Sequence, residues 1–198
     1  MASGRKTSEA GTAPSVLAVV GLTGVGKSEV TRLLVEKYSY GTVYFGGVVV
    51  DEVRRRGLPV LPANERMVRE ELRAAEGMDV IAARSIEPIR KKLIEHDRVA
   101  IDGLYSTAEL SLLRSEFGSQ LFTLAIHAPR WLRSERLGGR TFRSLTPEEM
   151  DERDWFEIKN LDKAPPIVLA DMHVVNDGTV QQLAEKVYAA IESRPQRR

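Results

Sequence analysis

A lysine and a serine close a glycine-spaced octet near the start of this chain. Gly21-Leu22-Thr23-Gly24-Val25-Gly26-Lys27-Ser28 fits G-x-x-x-x-G-K-[ST] at every fixed position. Glycines let the backbone curl so that successive N–H groups point inward at an anion. Lys27 then offers a cation to the β- and γ-phosphates of a nucleoside triphosphate, and the Ser28 hydroxyl offers a ligand to Mg²⁺. Gly21, Thr23, Gly24, Val25 and Gly26, with Glu29 in the turn that follows, complete the candidate phosphate-binding set. A second candidate is Asp102, which closes the apolar run Val99-Ala100-Ile101 before Gly103. A carboxylate at the carboxyl end of a buried strand suits Mg²⁺ at the ligand-binding edge of an open α/β sheet, whereas an ordinary Asp-Gly turn is the plainer alternative. A third is the series Arg130, Arg133, Arg136, Arg140 and Arg143, interrupted by Gly138-Gly139. Arginines on a glycine-hinged segment suit a lid, about 129–156, that neutralises a transferring phosphoryl group. The alternative is a solvated helix whose arginines pair with Glu135 and with the acids from Glu148 to Glu152.

These groups need elements to place them. Val16-Leu17-Ala18-Val19-Val20 is an apolar run of strand length, and Lys27 to Lys37 reads as a helix with Val30, Leu33 and Leu34 on one face. Strand, glycine loop and helix N-terminus together concentrate positive potential where phosphates sit. A second strand is expected over Thr42–Phe45, closed by Gly46-Gly47, with a helix from Val48 to Arg56. Its Arg54-Arg55-Arg56 run reads as a basic helix end complementing the dipole. Asn64 is expected to cap a helix reaching Gly77, and Asp79 the next, Val80 to His96, which Pro88 should kink or divide. Ser106 or Thr107 caps a helix to Phe117. Leu121–His127 is continuously apolar, as strands buried on both faces are. His127 at its end either approaches the site or is structural. Thr146-Pro147 starts a helix, Met172–Asn176 is a last short strand, and Thr179 caps a helix from Val180 to Ile191.

The chain of 198 residues suits one domain over about 15–193, with a polar, disordered tail expected at 1–14 and a basic end at 194–198. With 29 Lys and Arg against 28 Asp and Glu, the net charge of +1 gives no electrostatic reason to expect nucleic acid or a membrane as a partner. The absence of cysteine removes disulfides, thiolate metal sites and cysteine nucleophiles, and fits a cytoplasmic protein. An oligomer remains possible.

From about Val16 to Glu192 the chain resembles P-loop kinases of the nucleoside monophosphate kinase group. In pattern it is most similar to dephospho-CoA kinases and to archaeal adenylate-kinase-like and dephospho-CoA-kinase-related proteins. The resemblance is carried by Gly21 to Ser28, Val48-Val49 with Arg55-Arg56-Gly57, Glu71-Leu72-Arg73 with Glu76-Gly77-Met78-Asp79, Ile101-Asp102-Gly103, Glu135-Arg136-Leu137 and Val174 to Gly178. It implies an α/β, three-layer P-loop NTPase fold: a five-stranded parallel sheet with helices on both faces. It also implies acceptor-binding helices at about 48–96, a lid after strand four, and ATP with Mg²⁺. Lys27, Arg136 and Arg140 would stabilise the phosphoryl with Arg133 assisting, and Asp102 would organise Mg²⁺ or the acceptor. Asn176 and Gly178 would lie near adenine, and Arg73, Arg84 and Tyr105 would face the acceptor.

Three positions depart from the pattern of these kinases. Gly47 stands where an acid is common, Val50 where an arginine is, and Tyr105 where another arginine is. Two guanidiniums that would grip a phosphorylated acceptor are thus missing, a loss of on the order of a hundredfold in affinity unless Arg54 or Arg69 substitutes. Asp51 and Asp102 remain as candidate bases. The expectation is an ATP-dependent kinase acting on a nucleotide or a dephospho-CoA-like acceptor. The alternative is a nucleotide-binding regulatory or interaction protein that has lost its acceptor site. Lys159-Asn160-Leu161-Asp162 has the wrong order for the Asn-Lys-x-Asp guanine signature, which leaves adenine as the expected base.

Overall fold

The computed structural model describes residues 15–141 and 143–193, so the expected tails at 1–14 and 194–198 lie outside the described residues. Five strands form one parallel sheet: β1 (Val16–Val20), β2 (Gly41–Tyr44), β3 (Val99–Asp102), β4 (Leu121–His127) and β5 (Met172–Val175), in the order β2-β3-β1-β4-β5. Val16 pairs with Val99 on one side and with Leu121 on the other, so β1 is central. Its continuous apolar sequence follows from that place, because both of its faces are covered and every residue is buried.

Alternation along β1 divides the core. Leu17 and Val19 face α1 (Lys27–Tyr38) through Val30, Leu33 and Leu34, and α9 (Val180–Glu192) through Leu183, Val187 and Ile191. Val16, Ala18 and Val20 face the opposite layer. It is made by α2 (Phe45–Arg55), α3 (Pro62–Glu76), α4 (Val80–His96) and α5 (Thr107–Phe117), through Val49, Val53, Leu72, Ile89 and Leu113. Between β4 and β5 lie α6 (Arg130–Gly138), α7 (Pro147–Leu161) and the short α8 (Ala164–Val168). The result is the three-layer α/β arrangement expected from the sequence. Strand order reverses around β1, and the crevice at the carboxyl ends of β1, β3 and β4 is where such sheets bind ligands. Among the described residues no helix is long and apolar enough to cross a membrane.

Local details depart from the sequence reading. Gly46 and Gly47 do not close β2; they lie in the first turn of α2, which begins at Phe45. Phe45 is buried as the first helical residue, and the Tyr44 ring lies across Gly46, where an added Cβ would come within 2.3 Å of it. Asn64 does not cap α3. Pro62 starts that helix with its preset φ, and the Asn64 amide donates back to Pro59 O at 2.8 Å. Pro88 does not divide α4. The missing N–H forfeits one helical bond, and the buried face of Ile81, Ser85 and Ile89 holds the helix on the core.

Ser106, not Thr107, caps α5. Its hydroxyl accepts from Glu109 N, while the Glu109 carboxylate accepts from Ser106 N and Tyr105 N and pairs with Arg73 at 3.3 Å. Ser106→Ala is expected to cost about 1 kcal/mol by loss of the cap. Glu109→Ala is expected to cost about 3–5 kcal/mol, because it also leaves the buried Arg73 charge without its partner. Urea denaturation of the two variants checks the order and size of these losses.

Candidate phosphate and acceptor site

The loop between β1 and α1 has no room for side chains at its glycines. Gly21 has φ +146°, and a Cβ there would lie 2.5 Å from Ile126 O of β4. Gly26 has φ +99°, and a Cβ there would lie 2.5 Å from Asn176 Nδ2. Lys27 is the first residue of α1, and its ammonium donates to Gly21 O and Leu22 O, both at 3.0 Å. It therefore lies across the loop that it would serve. Burial, and then the charge of Lys163, push the Lys27 pKa down to about 7 against the opposing pull of Asp102 and Glu157. Ser28 is exposed at the mouth, and the Glu29 carboxylate turns along α1 to Arg32.

The arginines of the α6 segment divide. Arg133 is buried, with Nε donating to Thr23 O at 2.8 Å and Nη2 to both Asp154 oxygens at 2.7 and 2.6 Å. Expected to assist at the nucleotide, it ties Thr23 of the glycine loop to Asp154 of α7 in this ligand-free structure. Arg136 donates to Asn176 O and Oδ1, both at 3.3 Å, and Asn176 Nδ2 donates to Val25 O at 2.8 Å. One side-chain chain thus joins α6, the end of β5 and the loop. Gly178 and Arg140 are exposed beyond it.

Asp102 ends β3, beside Val19 of β1 and Tyr44 of β2. Burial raises its pKa, while the charges of Lys27 and Lys163 pull the other way. Next to this edge lies a cavity of about 630 Å³ between α3 and α7; Tyr44, Arg69, Arg73, Tyr105, Arg153 and Glu157 are among its walls. Arg73 brings a buried Nε without a hydrogen-bond partner. An orphaned buried donor costs about 1–3 kcal/mol. Of the three residues expected to face the acceptor, Arg73 and Tyr105 line the cavity and Arg84 does not. Arg84 is drawn to Glu76 and Glu52 on the outer side of the helical layer. Gly47, Val50 and Asp51 also lie outside the lining, with Asp51 exposed and paired to Arg54 at 3.2 Å.

Sequence reasoning passed over Arg153, Glu157 and Lys163. Glu157 accepts from Arg153 Nε at 3.0 Å and from the Lys163 ammonium, and Lys163 is 1% exposed. Burial raises the Glu157 carboxyl, but Lys163 and Arg153 overcome it and hold the group below the usual range. The only sequence signal was the i, i+4 pair Arg153–Glu157, which looks the same as a pair on a solvated helix.

A family model described as an AAA domain matches residues 20–154. A UPF0200 protein of Thermococcus onnurineus is 34% identical over 184 residues, covering 88% of this chain and 98% of that protein. The chain belongs to the UPF0200 family. Among solved structures, a gluconokinase from Sinorhizobium meliloti matches this UPF0200 chain with a TM-score of 0.56 at 15% identity, covering 90% of this chain and 91% of that one. Shikimate kinase from Aquifex aeolicus matches with a TM-score of 0.53 at 21% identity, covering 89% and 96%. At these identities the likeness shows the P-loop kinase-like fold.

The Lys27 shift has a sign that a titration reads. With a folded pKa of about 7 against 10.5 for an ordinary lysine, the unfolded chain holds the proton more tightly between those values. Lys27 therefore contributes to stability that rises with pH through that window, and below it carries its full burial penalty. Lys27→Met lacks the penalty. Its gain in melting temperature over the ligand-free natural protein is expected to be largest below pH 7 and to shrink toward about pH 10.

Proposed function

We propose that this UPF0200 protein transfers the γ-phosphoryl group of ATP to a nucleotide or dephospho-CoA-like acceptor bound between α3 and α7. The observation that carries this reading is the placement of the cavity. Its wall residues Tyr105 and Glu157 lie in the electrostatic reach of Asp102 and Lys27, so an acceptor there adjoins the phosphate loop.

The residues present fit a magnesium nucleotide. The glycine loop presents backbone where a Cβ would collide, Lys27 stands over it, and Ser28 and Asp102 supply hard oxygen donors. Mg²⁺, held by Ser28 and Asp102, would neutralise charge on the β- and γ-phosphates. Lys27 binds the same phosphates, and Arg136 and Arg140 approach from the lid. Asn176 and Gly178 border the expected adenine position. Tyr105 and Arg73 orient the acceptor, with Arg69 and Arg153 on the same wall. A nucleoside monophosphate presents a phosphate oxygen and needs no general base; a hydroxyl acceptor of the dephospho-CoA kind needs one, for which Asp102 is the candidate, since Asp51 lies outside the cavity.

ADP release from Mg·ATP, measured across nucleoside monophosphates, deoxynucleotides and dephospho-CoA, tests the reading. At least one acceptor is expected to stimulate release, and Lys27→Met is expected to lower the stimulated rate by about a hundredfold or more. No stimulation by any acceptor would overturn it. The second reading, a regulatory protein that binds ATP without transfer, draws on the ion pairs that already hold the cavity's arginines: Arg73 with Glu109, Arg143 with Glu65 and Arg153 with Glu157. Tight ATP binding without turnover would favour it.

A further inference from the structure

Among the described residues, Arg66, Arg69, Arg73, Arg143 and Arg153 line the cavity between α3 and α7. All but one are spent on carboxylates. Arg66 pairs with Glu70 at 2.8 Å, Arg73 with Glu109 at 3.3 Å, Arg143 with Glu65 at 2.8 Å and Arg153 with Glu157 at 3.0 Å. Arg69 is the exception. It is partly buried, and among the described residues its side chain makes neither an ion pair nor a hydrogen bond.

The fold takes its partner away. Glu65 stands one turn before Arg69 on α3, at the i, i+4 spacing at which a helix pairs such groups. Arg143 reaches Glu65 from the connection between α6 and α7 and holds it instead. The other places three or four residues from Arg69 belong to Arg66, Leu72 and Arg73, none of them an acid. Of the remaining acids of the cavity, Glu149 accepts from Thr146 N at 2.8 Å in the cap of α7, and Glu152 is exposed. The fork of Arg69 thus keeps its donors for a group from outside the chain.

Tyr44 adds a surface. It ends β2 beside Asp102, lines the same cavity and is 55% exposed. Its ring lies across two glycines: a Cβ on Gly46 would collide with it, and one on Gly103 would come within 3.5 Å of its Cε2. An aromatic ring seated on glycines and left open to a cavity suits a flat group. The charge of Arg69 pulls against the rise in the Tyr44 and Tyr105 pKa, as a guanidinium near both phenols does.

We propose that Arg69 selects the acceptor, as the guanidinium of this cavity that grips its anionic group, and that the Tyr44 ring stacks on the acceptor's planar part. The chemistry that fits is a mononucleotide, with one phosphate for the free fork and a base for the ring. This rests on the phosphotransferase reading above, and it places acceptor recognition on α3 and the end of β2.

Calorimetric titration of the ribonucleoside monophosphates and of their nucleosides into the full chain, with Mg·ADP filling the phosphate loop, tests this. At least one monophosphate is expected to bind about tenfold or more tightly than its nucleoside. Arg69→Gln is expected to erase that preference and leave the nucleoside affinity unchanged, and Arg69→Lys to keep part of it. Arg66→Gln, on the same helix but already paired, is expected to change the preference by less than about twofold. Tyr44→Ala is expected to weaken nucleoside and monophosphate alike by about tenfold, and Tyr44→Phe to match the natural protein. No phosphate preference in the natural protein, one that survives Arg69→Gln, or one lost equally in Arg66→Gln would overturn the inference, and unchanged affinities in Tyr44→Ala would remove the stacking surface from it. ADP release separates this inference from the reading beneath it. A preference that depends on Arg69, without transfer to any acceptor, sinks the phosphotransferase reading alone; transfer whose acceptor KM is unmoved by Arg69→Gln sinks the role of Arg69 alone.

Discussion

Positive charge held out of water at the carboxyl edge of the sheet is the constraint on which the rest of this structure depends. Burial lowers the pKa of both Lys27 and Lys163, and the charge of Lys163 lowers that of Lys27 further. Such an arrangement stands only if carboxylates arrive from elsewhere. Asp102 comes because β3 pairs directly with β1, and Glu157 comes because α7 packs back toward the loop. Strand order, lid placement and the chemistry of the phosphate loop are therefore one problem. A sheet that did not seat β3 beside β1 would leave Lys27 without its carboxylate.

The same economy of partners ties α6 to the loop. Arg133 spans Thr23 O and Asp154, and Arg136 reaches Val25 O through Asn176. Helix α6 is thus held against the loop at two points, one on each side. Removing an anchor would disturb the nucleotide site without any contact with nucleotide. Further out, Arg130–Asp151 joins α6 and α7 at the surface, where an ion pair adds little.

The cavity proposed for the acceptor draws its charge from other elements than the family resemblance suggests. Gly47 and Val50 leave the usual positions without charge, and neither lines the cavity. Guanidiniums come instead from α3, through Arg69 and Arg73, and from α7, through Arg153. The departures in sequence mark a change in where the charge is supplied, and Tyr105 becomes the surface on which Lys163 rests.

The sequence by itself determined the glycine loop and the sheet that carries it. Gly21 to Ser28 was legible because a phosphate loop is a local object: its glycines, lysine and serine are fixed by backbone geometry over eight residues. The strands, their buried character and the position of Asp102 were legible for the same reason, through short apolar runs and turn residues. Only the tertiary structure decided which charges are buried. Arg133, Arg84, Arg153 and Lys163 look alike on a charged segment. One becomes a clamp, one turns away from the cavity, one lines it and one is sealed inside. Whether a charge sits in water or in the core depends on partners that are far away in the chain, as Thr23 is from Arg133, and no local pattern carries that information. Gly46 in a helix and Pro88 in an unbroken one belong to the same class, since packing against Tyr44 and the core overrode the propensity of the residue.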